Sequence, residues 1–280
     1  MAVPIARGLT VERLEPGRLW AEIAAPQRSR IQDLELLETV ASTNSHLLAR
    51  TPPAPGYAHV CLAEHQVAGR GRQGRRWVTP PGSGVTLSVG GRLESTAAHA
   101  TGLSLAVGVA VVRALERAGA GGLALKWPND VWWSGRKLGG VLVELQGDPA
   151  PLYVVIGVGL NVLLSAPARR EIEASGVRVA SVADACARPP SRNRVAGALI
   201  DELIALLPRF DSRGFADFHA EWSRLDALAG RRVRVLAARQ TLEGRAGGVD
   251  EQGALLLDTG AGVERVVSGD VTLRLAQEAP

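Results

Sequence analysis

Apolar residues recur along this chain at spacings typical of strands and of helices. Residues 103–118 are predicted to form a helix packed on a core, because the apolar positions are Leu103, Ala106, Val107, Ala110, Val111 and Ala114. Helices are also predicted at 42–50, capped by Ser42 or Thr43, at 193–207 and at 215–222. Strands are predicted for apolar stretches at 31–40, 59–64, 85–89, 123–127, 137–145 and 153–162.

The pattern changes after Ala229, where short apolar stretches alternate with glycine-rich turns. Strands are predicted there at 231–237, 241–249, 254–258, 263–268 and 271–275. Residues 1–30 carry three prolines and are predicted to be an extension with one short helix or strand. We therefore expect an N-terminal extension at 1–30, a main domain at 31–228 and a small all-β domain at 229–280.

Composition narrows the class of protein. Hydrophobic residues make up 46% of the 280 residues, which is enough for a large core. No apolar run reaches the roughly 18 residues of a membrane helix, and the start has no signal-peptide pattern. Cys61 and Cys186 form no metal-binding spacing, so a cytoplasmic protein without a membrane partner is expected. The net charge of +4 tolerates an anionic ligand without demanding nucleic acid.

The positive charge is carried almost entirely by arginine. Of the 32 basic residues only Lys126 and Lys137 are lysines, and both lie in one short stretch. An ammonium is compact, whereas a guanidinium is planar and larger, so a lysine retained in an arginine-rich chain indicates a site that requires the smaller head. The alternatives are that the two lysines lie together by chance or that one of them only packs against its neighbours.

A loop of glycine and arginine at 69–77 ends at Trp77. Glycines let backbone N–H groups approach an anion, and arginines add forked donors that suit phosphate and carboxylate. No Gly-Lys-Ser/Thr follows, so the loop is not a Walker loop. On composition alone a solvated basic loop or a nucleic-acid-binding arm is as good an interpretation, but Trp77 favours closure over a flat ligand.

Three further patterns indicate a ligand site. Lys126 is followed by Trp-Pro-Asn-Asp, so Asn129 and Asp130 form a turn at a strand end that could hold a hydrated Mg²⁺ or be a plain Asx turn. Lys137 begins a strand in which two glycines permit close approach of a ligand. A later apolar strand contains two more glycines and ends at Asn161, which could anchor a ligand or be a satisfied buried side chain.

In this order the four patterns resemble those of the biotin–protein ligases, the biotin–acetyl-CoA-carboxylase synthetases. The resemblance covers about residues 31–275, and Ser42-Thr43-Asn44 and Gln66 match the biotin-binding positions of the family. It implies an α+β fold of the class II synthetase-like biotinyl/lipoyl ligase type. That fold is a mixed, largely antiparallel sheet with helices on one face, followed by a C-terminal SH3-like β-barrel.

The resemblance also implies a reaction. Biotin and ATP would form biotinyl-5′-AMP, and biotin would pass to one lysine of a biotin carboxyl carrier protein. The implied catalytic residues are Lys137 and Arg72. The implied biotin-binding residues are Ser42, Thr43, Asn44, Gln66, Gly69, Arg70, Trp77, Lys137 and Gly140. The implied ATP- or adenylate-binding residues are Arg72, Arg75, Asn129, Lys137, Asn161, Asp270 and Arg274, and the implied Mg²⁺ ligand is Asp130.

Other functions remain open at this point. A lipoate–protein ligase shares the fold, although the turn at Asn129-Asp130 and the glycine-arginine loop favour biotin. A nucleic-acid-binding module would explain the arginines but leaves the two lysines unexplained. The roughly 30 residues before the first ligase strand are too few for a winged helix-turn-helix, so no specific DNA partner and no repressor activity are expected. A monomer or weak homodimer is expected, and Gln73 departs from an arginine found in some relatives.

Overall fold

The computed structural model describes residues 4–5, 9–10, 12–147, 150–237 and 240–273. The strands are β1 Pro4–Ile5, β2 Leu9–Thr10, β3 Ile31–Val40, β4 Ala58–Gln66, β5 Gly84–Leu93, β6 Leu123–Lys126, β7 Asp130–Trp133, β8 Arg136–Gln146, β9 Leu152–Asn161, β10 Arg232–Ala237, β11 Gln240–Val249, β12 Leu255–Asp258, β13 Val263–Val266 and β14 Asp270–Leu273. The helices are α1 Pro16–Glu22, α2 Ala25–Arg28, α3 Thr43–Leu48, α4 Leu103–Arg117, α5 Ala166–Glu173, α6 Arg192–Arg213 and α7 Ala216–Leu225. No helix in these ranges is both long and apolar enough to cross a membrane.

The main body is a seven-stranded sheet in the order β3-β4-β5-β9-β8-β7-β6. Only β3 and β4 are parallel, and every other neighbouring pair is antiparallel. The predicted mixed, largely antiparallel sheet is therefore confirmed. The core lies where alternate side chains of β4, β5 and β9 pack against α4 and α6.

Helices lie on both faces of this sheet. Val60 and Leu62 of β4 point into the core with α4 and α6, whereas Cys61 between them belongs to a second cluster with Leu47 of α3 and Tyr153. Because neighbouring side chains in a strand point to opposite faces, α3 packs on the face away from α4 and α6. The expectation of helices on one face holds for α4 and α6 but not for α3.

The C-terminal strands form one antiparallel sheet in the order β13-β12-β11-β10-β14. Within the described ranges the two edge strands, β13 and β14, do not pair with each other, so the predicted barrel is not closed. Several hydrogen bonds join this sheet to the main body. Trp127 Nε1 donates to the Gly253 carbonyl at 3.0 Å, and His219 Nε2 lies 2.8 Å from the Val249 carbonyl.

The segment before β3 has more structure than the single short element expected. It contains the β1–β2 pair and two short helices, and Leu14, Leu19 and Ile23 are buried in the main core. Arg192 at the start of α6 holds this segment in place and is 3% exposed. Its guanidinium donates to the Glu64 carboxylate at 2.8 Å, to the Glu12 carbonyl at 2.7 Å and to the Gly84 carbonyl at 3.0 Å.

Candidate functional site

A cavity of about 700 Å³ lies on the α3 face of the main sheet, between the glycine-arginine loop and β14. Most of the predicted site residues line it, namely Ser42, Thr43, Asn44, Gln66, Arg70, Arg72, Arg75, Trp77, Asn129, Asp130, Lys137, Gly140, Asn161 and Asp270. Gly69 is not among the lining residues, and Arg274 lies outside the described residues. Residues far apart in the sequence therefore converge on one site.

Glycines on β8 and β9 form the floor of the cavity. Gly140 and Gly159 are direct cross-strand partners, and Gly157 lies two residues before Gly159 on the same face. A Cβ atom at Gly159 would lie 2.5 Å from Trp77 Cε2, and one at Gly157 would lie 2.9 Å from Asn44 Cγ. The missing side chains thus let Trp77 and Asn44 rest directly on the sheet.

The start of α3 forms the polar end of the cavity. Ser42 is the N-cap, and its Oγ accepts from the Ser45 N–H at 3.5 Å. The Thr43 N–H donates to Gln66 Oε1 at 2.8 Å. Ser42, Thr43 and Asn44 are each less than 5% exposed, so this end is a narrow slot rather than an open surface.

Both lysines line the cavity and converge on Asp130. Lys137 Nζ lies 2.7 Å from Asp130 Oδ1 and 5.6 Å from the centroid of the Trp77 ring. Lys126 pairs with Asp130 across β6 and β7, and its Nζ lies 5.0 Å from the centroid of the Trp132 ring. Burial lowers the pKa of Lys126, and the nearby Asp130 carboxylate opposes that shift. The site therefore concentrates positive charge where anions could bind.

The glycine-arginine loop is a small hairpin that meets the C-terminal sheet. The Trp77 N–H donates to the Gly69 carbonyl at 2.9 Å, and a Cβ at Gly69 would lie 2.6 Å from the Trp77 carbonyl oxygen. Gly69 thus closes the base of the hairpin instead of facing the cavity. Arg75 forms an ion pair with Asp270 at the start of β14.

Arg72 also points from this loop toward the C-terminal sheet. Its Nη2 lies 3.4 Å from Ser268 Oγ, while its Nη1 is buried with no hydrogen-bond partner among the described residues. Burial lowers the pKa of Arg72, and the Asp270 carboxylate opposes the shift. A buried donor without a partner is costly, so this group is well placed to bind an anion.

A strap at residues 178–180 covers the cavity beside Lys137. The Lys137 N–H donates to the Arg178 carbonyl at 3.0 Å, and the Ala180 N–H donates to the Lys137 carbonyl at 2.8 Å. Asn161 Nδ2 donates to the Ala180 carbonyl at 3.1 Å, whereas Asn161 Oδ1 is buried with no partner among the described residues. That free acceptor could bind one donor group of a ligand.

Sequence reasoning missed the apolar residues that close this side of the cavity. Ile172, Val177 and Val179 line it, and they lie in or just after α5. Only Ala168 of α5 is buried, so the helix has no apolar period that the sequence could reveal.

The positions of the acidic side chains show whether the expected Mg²⁺ could be held in the cavity. Across the described ranges, no three His, Cys, Asp or Glu side chains gather into a metal site. Asp130 and Asp270 both line the cavity, and Asp270 is already paired with Arg75. Asn129 Nδ2 is committed to the Val141 carbonyl at 2.8 Å. One carboxylate together with substrate phosphates is a usual arrangement for Mg²⁺, so these residues fit such an ion.

We expect trypsin to cut the glycine-arginine loop in the free protein and to cut it far less when biotin and ATP are bound. Seven of the nine residues at 69–77 are glycine or arginine, and Arg70, Arg75 and Arg76 are exposed. Such a loop buries little apolar surface, and its ion pairs through Arg70 and Arg75 are exposed, so it opens easily until bound ligands add contacts. Cleavage after Arg231, an exposed arginine outside the cavity, serves as the control. Equal protection at both places, or none at the loop, would contradict the expectation.

Two family models match this chain. The biotin/lipoate A/B protein ligase family matches residues 37–161, and the biotin protein ligase C-terminal domain matches residues 229–274.

Curated relatives match over most of the chain. It is 37% identical over 245 residues to the bifunctional ligase/repressor BirA of Escherichia coli, covering 87% of this chain and 74% of that protein. It is 39% identical over 246 residues to the biotin–[acetyl-CoA-carboxylase] ligase of Mycobacterium tuberculosis, covering 86% of this chain and 88% of that protein. Among solved structures, the biotin protein ligase from Aquifex aeolicus in complex with biotin and ATP is similar. Its TM-score is 0.72 at 28% identity, over 87% of this chain and 99% of that one.

Proposed function

Because the chain belongs to the biotin protein ligase family, we propose that its cavity joins biotin to ATP, giving biotinyl-5′-AMP and pyrophosphate. The chain is accordingly a biotin–[acetyl-CoA-carboxylase] ligase, and biotin and ATP are its substrates. The observation that carries the residue assignments is the convergence of two lysines, four arginines and a glycine floor on one cavity.

The first step brings a carboxylate against a phosphate, and two anions repel each other. Lys137 lines the cavity next to Asp130 and Trp77, and there it would bridge the biotin carboxylate and the α-phosphate. Arg72 and Arg75 would hold phosphate oxygens, with the unpaired Arg72 Nη1 available for one of them. Fixed positive groups in a partly dry site neutralise and align the reactants at no reorganisation cost.

The polar slot at the start of α3 suits the ureido ring of biotin. Such a ring needs a few fixed donors and acceptors in a mostly apolar pocket. Ser42, Thr43, Gln66 and Arg70 supply them in this proposal, and Trp77 covers the ring above the glycine floor. Gly69 contributes by closing the loop hairpin, and Gly140 by leaving space beside Lys137.

The opposite end of the cavity suits the nucleotide. Asn161 has a free buried acceptor, and Asp270 brings β14 to the phosphate-binding arginines. Asn129 shapes the turn before Asp130, and Asp130 would hold Mg²⁺ together with the phosphates. When bound, that ion would supply positive charge near the phosphate oxygens. The role of Arg274 remains a prediction.

Biotin then has to reach a protein amine. The relatives' names point to the biotin carboxyl carrier protein of acetyl-CoA carboxylase as the acceptor, which this proposal adopts. We further propose a domain division near residue 229, a cytoplasmic location and a monomer or weak homodimer. The expected absence of specific DNA binding and of repressor activity stays a prediction.

Biotin-dependent exchange between ATP and labelled pyrophosphate tests the proposal. Biotin should support exchange, whereas lipoate at the same concentration should not, because the polar slot suits a ureido ring. Addition of a biotin carboxyl carrier domain should then move the biotinyl group from the adenylate to its lysine and release AMP, as seen by a mass increase of the domain. Exchange that lipoate supports and biotin does not would favour the lipoate–protein ligase alternative instead.

A further inference from the structure

A row of hydrogen bonds runs behind the cavity wall from Glu144 on β8 to Thr43 on α3. Glu144 Oε2 accepts from Asn44 Nδ2 at 2.8 Å. Ser88 Oγ lies 2.6 Å from Asn44 Oδ1 and 2.7 Å from Thr43 Oγ1. Thr43 and Asn44 line the cavity, whereas Ser88 and Glu144 are not among its lining residues.

The chemistry of these groups fixes the direction of the row. Asn44 Nδ2 lies 3.2 Å from the Leu142 carbonyl as well as 2.8 Å from the Glu144 carboxylate, and both partners can only accept. Asn44 Oδ1 must therefore be the atom that faces Ser88, and it too can only accept. The single hydroxyl proton of Ser88 is consequently used on Asn44, so Thr43 has to donate its own proton to Ser88 Oγ.

This order leaves two acceptors facing each other in the slot. Gln66 Oε1 accepts from the Thr43 N–H at 2.8 Å and lies 3.2 Å from Thr43 Oγ1. With the Thr43 proton turned toward Ser88, no proton remains between these two oxygens. Gln66 Oε1 keeps the Thr43 N–H as its donor, but Thr43 Oγ1 receives no proton, and Thr43 is only 3% exposed. An unused buried acceptor is unfavourable, so this part of the slot favours a ligand that brings an N–H group.

We propose that Glu144 is a positioning residue that sets the polarity of the slot and so selects ligands with an N–H donor at its polar end. The inference rests on the proposed function, since the ureido ring of biotin supplies such N–H groups. Glu144 is well held for this task, because both of its carboxylate oxygens lie 3.0 Å from Arg70 Nη2. Gly157 provides the space in which the Asn44 amide keeps its orientation.

Breaking the row should reduce discrimination between ligands more than it reduces binding in general. In Ser88→Ala the Thr43 proton is free to turn to Gln66, so the slot no longer requires a donor from the ligand. In Glu144→Ala the Asn44 amide keeps only its 3.2 Å bond to the Leu142 carbonyl, so it can turn over and release the Thr43 proton in the same way. The probes are biotin and its two N-methyl isomers, each of which lacks one ureido N–H. Their dissociation constants are measured by calorimetry without ATP, so the readout does not depend on catalysis.

In the wild-type protein, the dissociation constant of the more weakly bound isomer should exceed that of biotin. Apart from the steric effect of the methyl group, loss of the N–H should account for about a 10- to 100-fold difference. Ser88→Ala and Glu144→Ala should each lower that preference by about tenfold. Glu144→Gln keeps an acceptor for Asn44 and should restore most of it. Thr86→Val is the matched control, since Thr86 is a buried hydroxyl on the same strand that bonds the Ala63 carbonyl outside the row.

An unchanged preference in folded Ser88→Ala would overturn the inference. Ser88→Ala removes one oxygen atom, so it decides the question even if Glu144→Ala does not fold. A drop of the same size in Thr86→Val would also overturn it, because loosening of the strand would then explain the result. Failure of the wild-type protein to carry out biotin-dependent pyrophosphate exchange would instead overturn the proposed function.

Discussion

Replacing Lys137 by alanine should slow biotin-dependent pyrophosphate exchange by about 10²- to 10³-fold, the usual effect of losing one preorganised charge stabiliser. Lys137→Arg should fail almost as badly. Lys137 Nζ lies 2.7 Å from Asp130 Oδ1 and beside the Trp77 ring, and a planar guanidinium cannot occupy that point without moving one of them. The measurement is the maximal exchange rate at saturating biotin and ATP.

The control for this result is the neighbouring basic residue. Arg136 packs its guanidinium 5.1 Å from the centroid of the Trp133 ring and does not line the cavity. Arg136→Lys should therefore leave the exchange rate close to that of the wild type. Near-normal exchange in Lys137→Arg would show that this position needs only a positive charge, which would refute the bridging role.

Replacing Arg192 by methionine should lower the free energy of unfolding by about 3–5 kcal/mol, since it removes one partner of a buried ion pair. The change leaves two backbone carbonyls without their Arg192 donor, and it leaves the Glu64 carboxylate with the Leu14 N–H but no positive partner. Urea unfolding followed by tryptophan fluorescence measures the loss. Arg194→Met, two residues further along and exposed, should change stability by no more than about 0.5 kcal/mol.

A second substitution separates the ion pair from simple loss of packing. Adding Glu64→Gln to Arg192→Met removes the uncompensated carboxylate, so the double variant should regain part of the lost stability. A double variant that is less stable by the sum of both single losses would contradict this explanation.

Sequence patterning located every strand of the seven-stranded sheet except β7. β3 and β9 each have ten residues, which give enough apolar positions for a strand pattern, and the prediction for β3 has the observed bounds. β7 has four residues and begins inside a turn whose Asn-Asp pair was the stronger local signal.

The candidate site also contains residues that the sequence identified and residues that it could not identify. Motif chemistry identified most of the cavity wall, because glycines, arginines and lysines stand close together in the sequence. Glu144 could not be found from the sequence, since its partner Asn44 is 100 residues away and the contact depends on the packing of α3 against the sheet. Strand register likewise decides that Gly140 faces Gly159, and no local pattern encodes that pairing.

The confinement of both lysines to the cavity wall has a practical consequence for spectroscopy. Reductive methylation with ¹³C-formaldehyde modifies amines while retaining their positive charge, so this protein would yield methyl signals only from Lys126, Lys137 and the α-amino group. Two of those three signals would report directly on the reaction centre. Their chemical shifts could follow the binding of each substrate without a mutation or any isotope in the polypeptide.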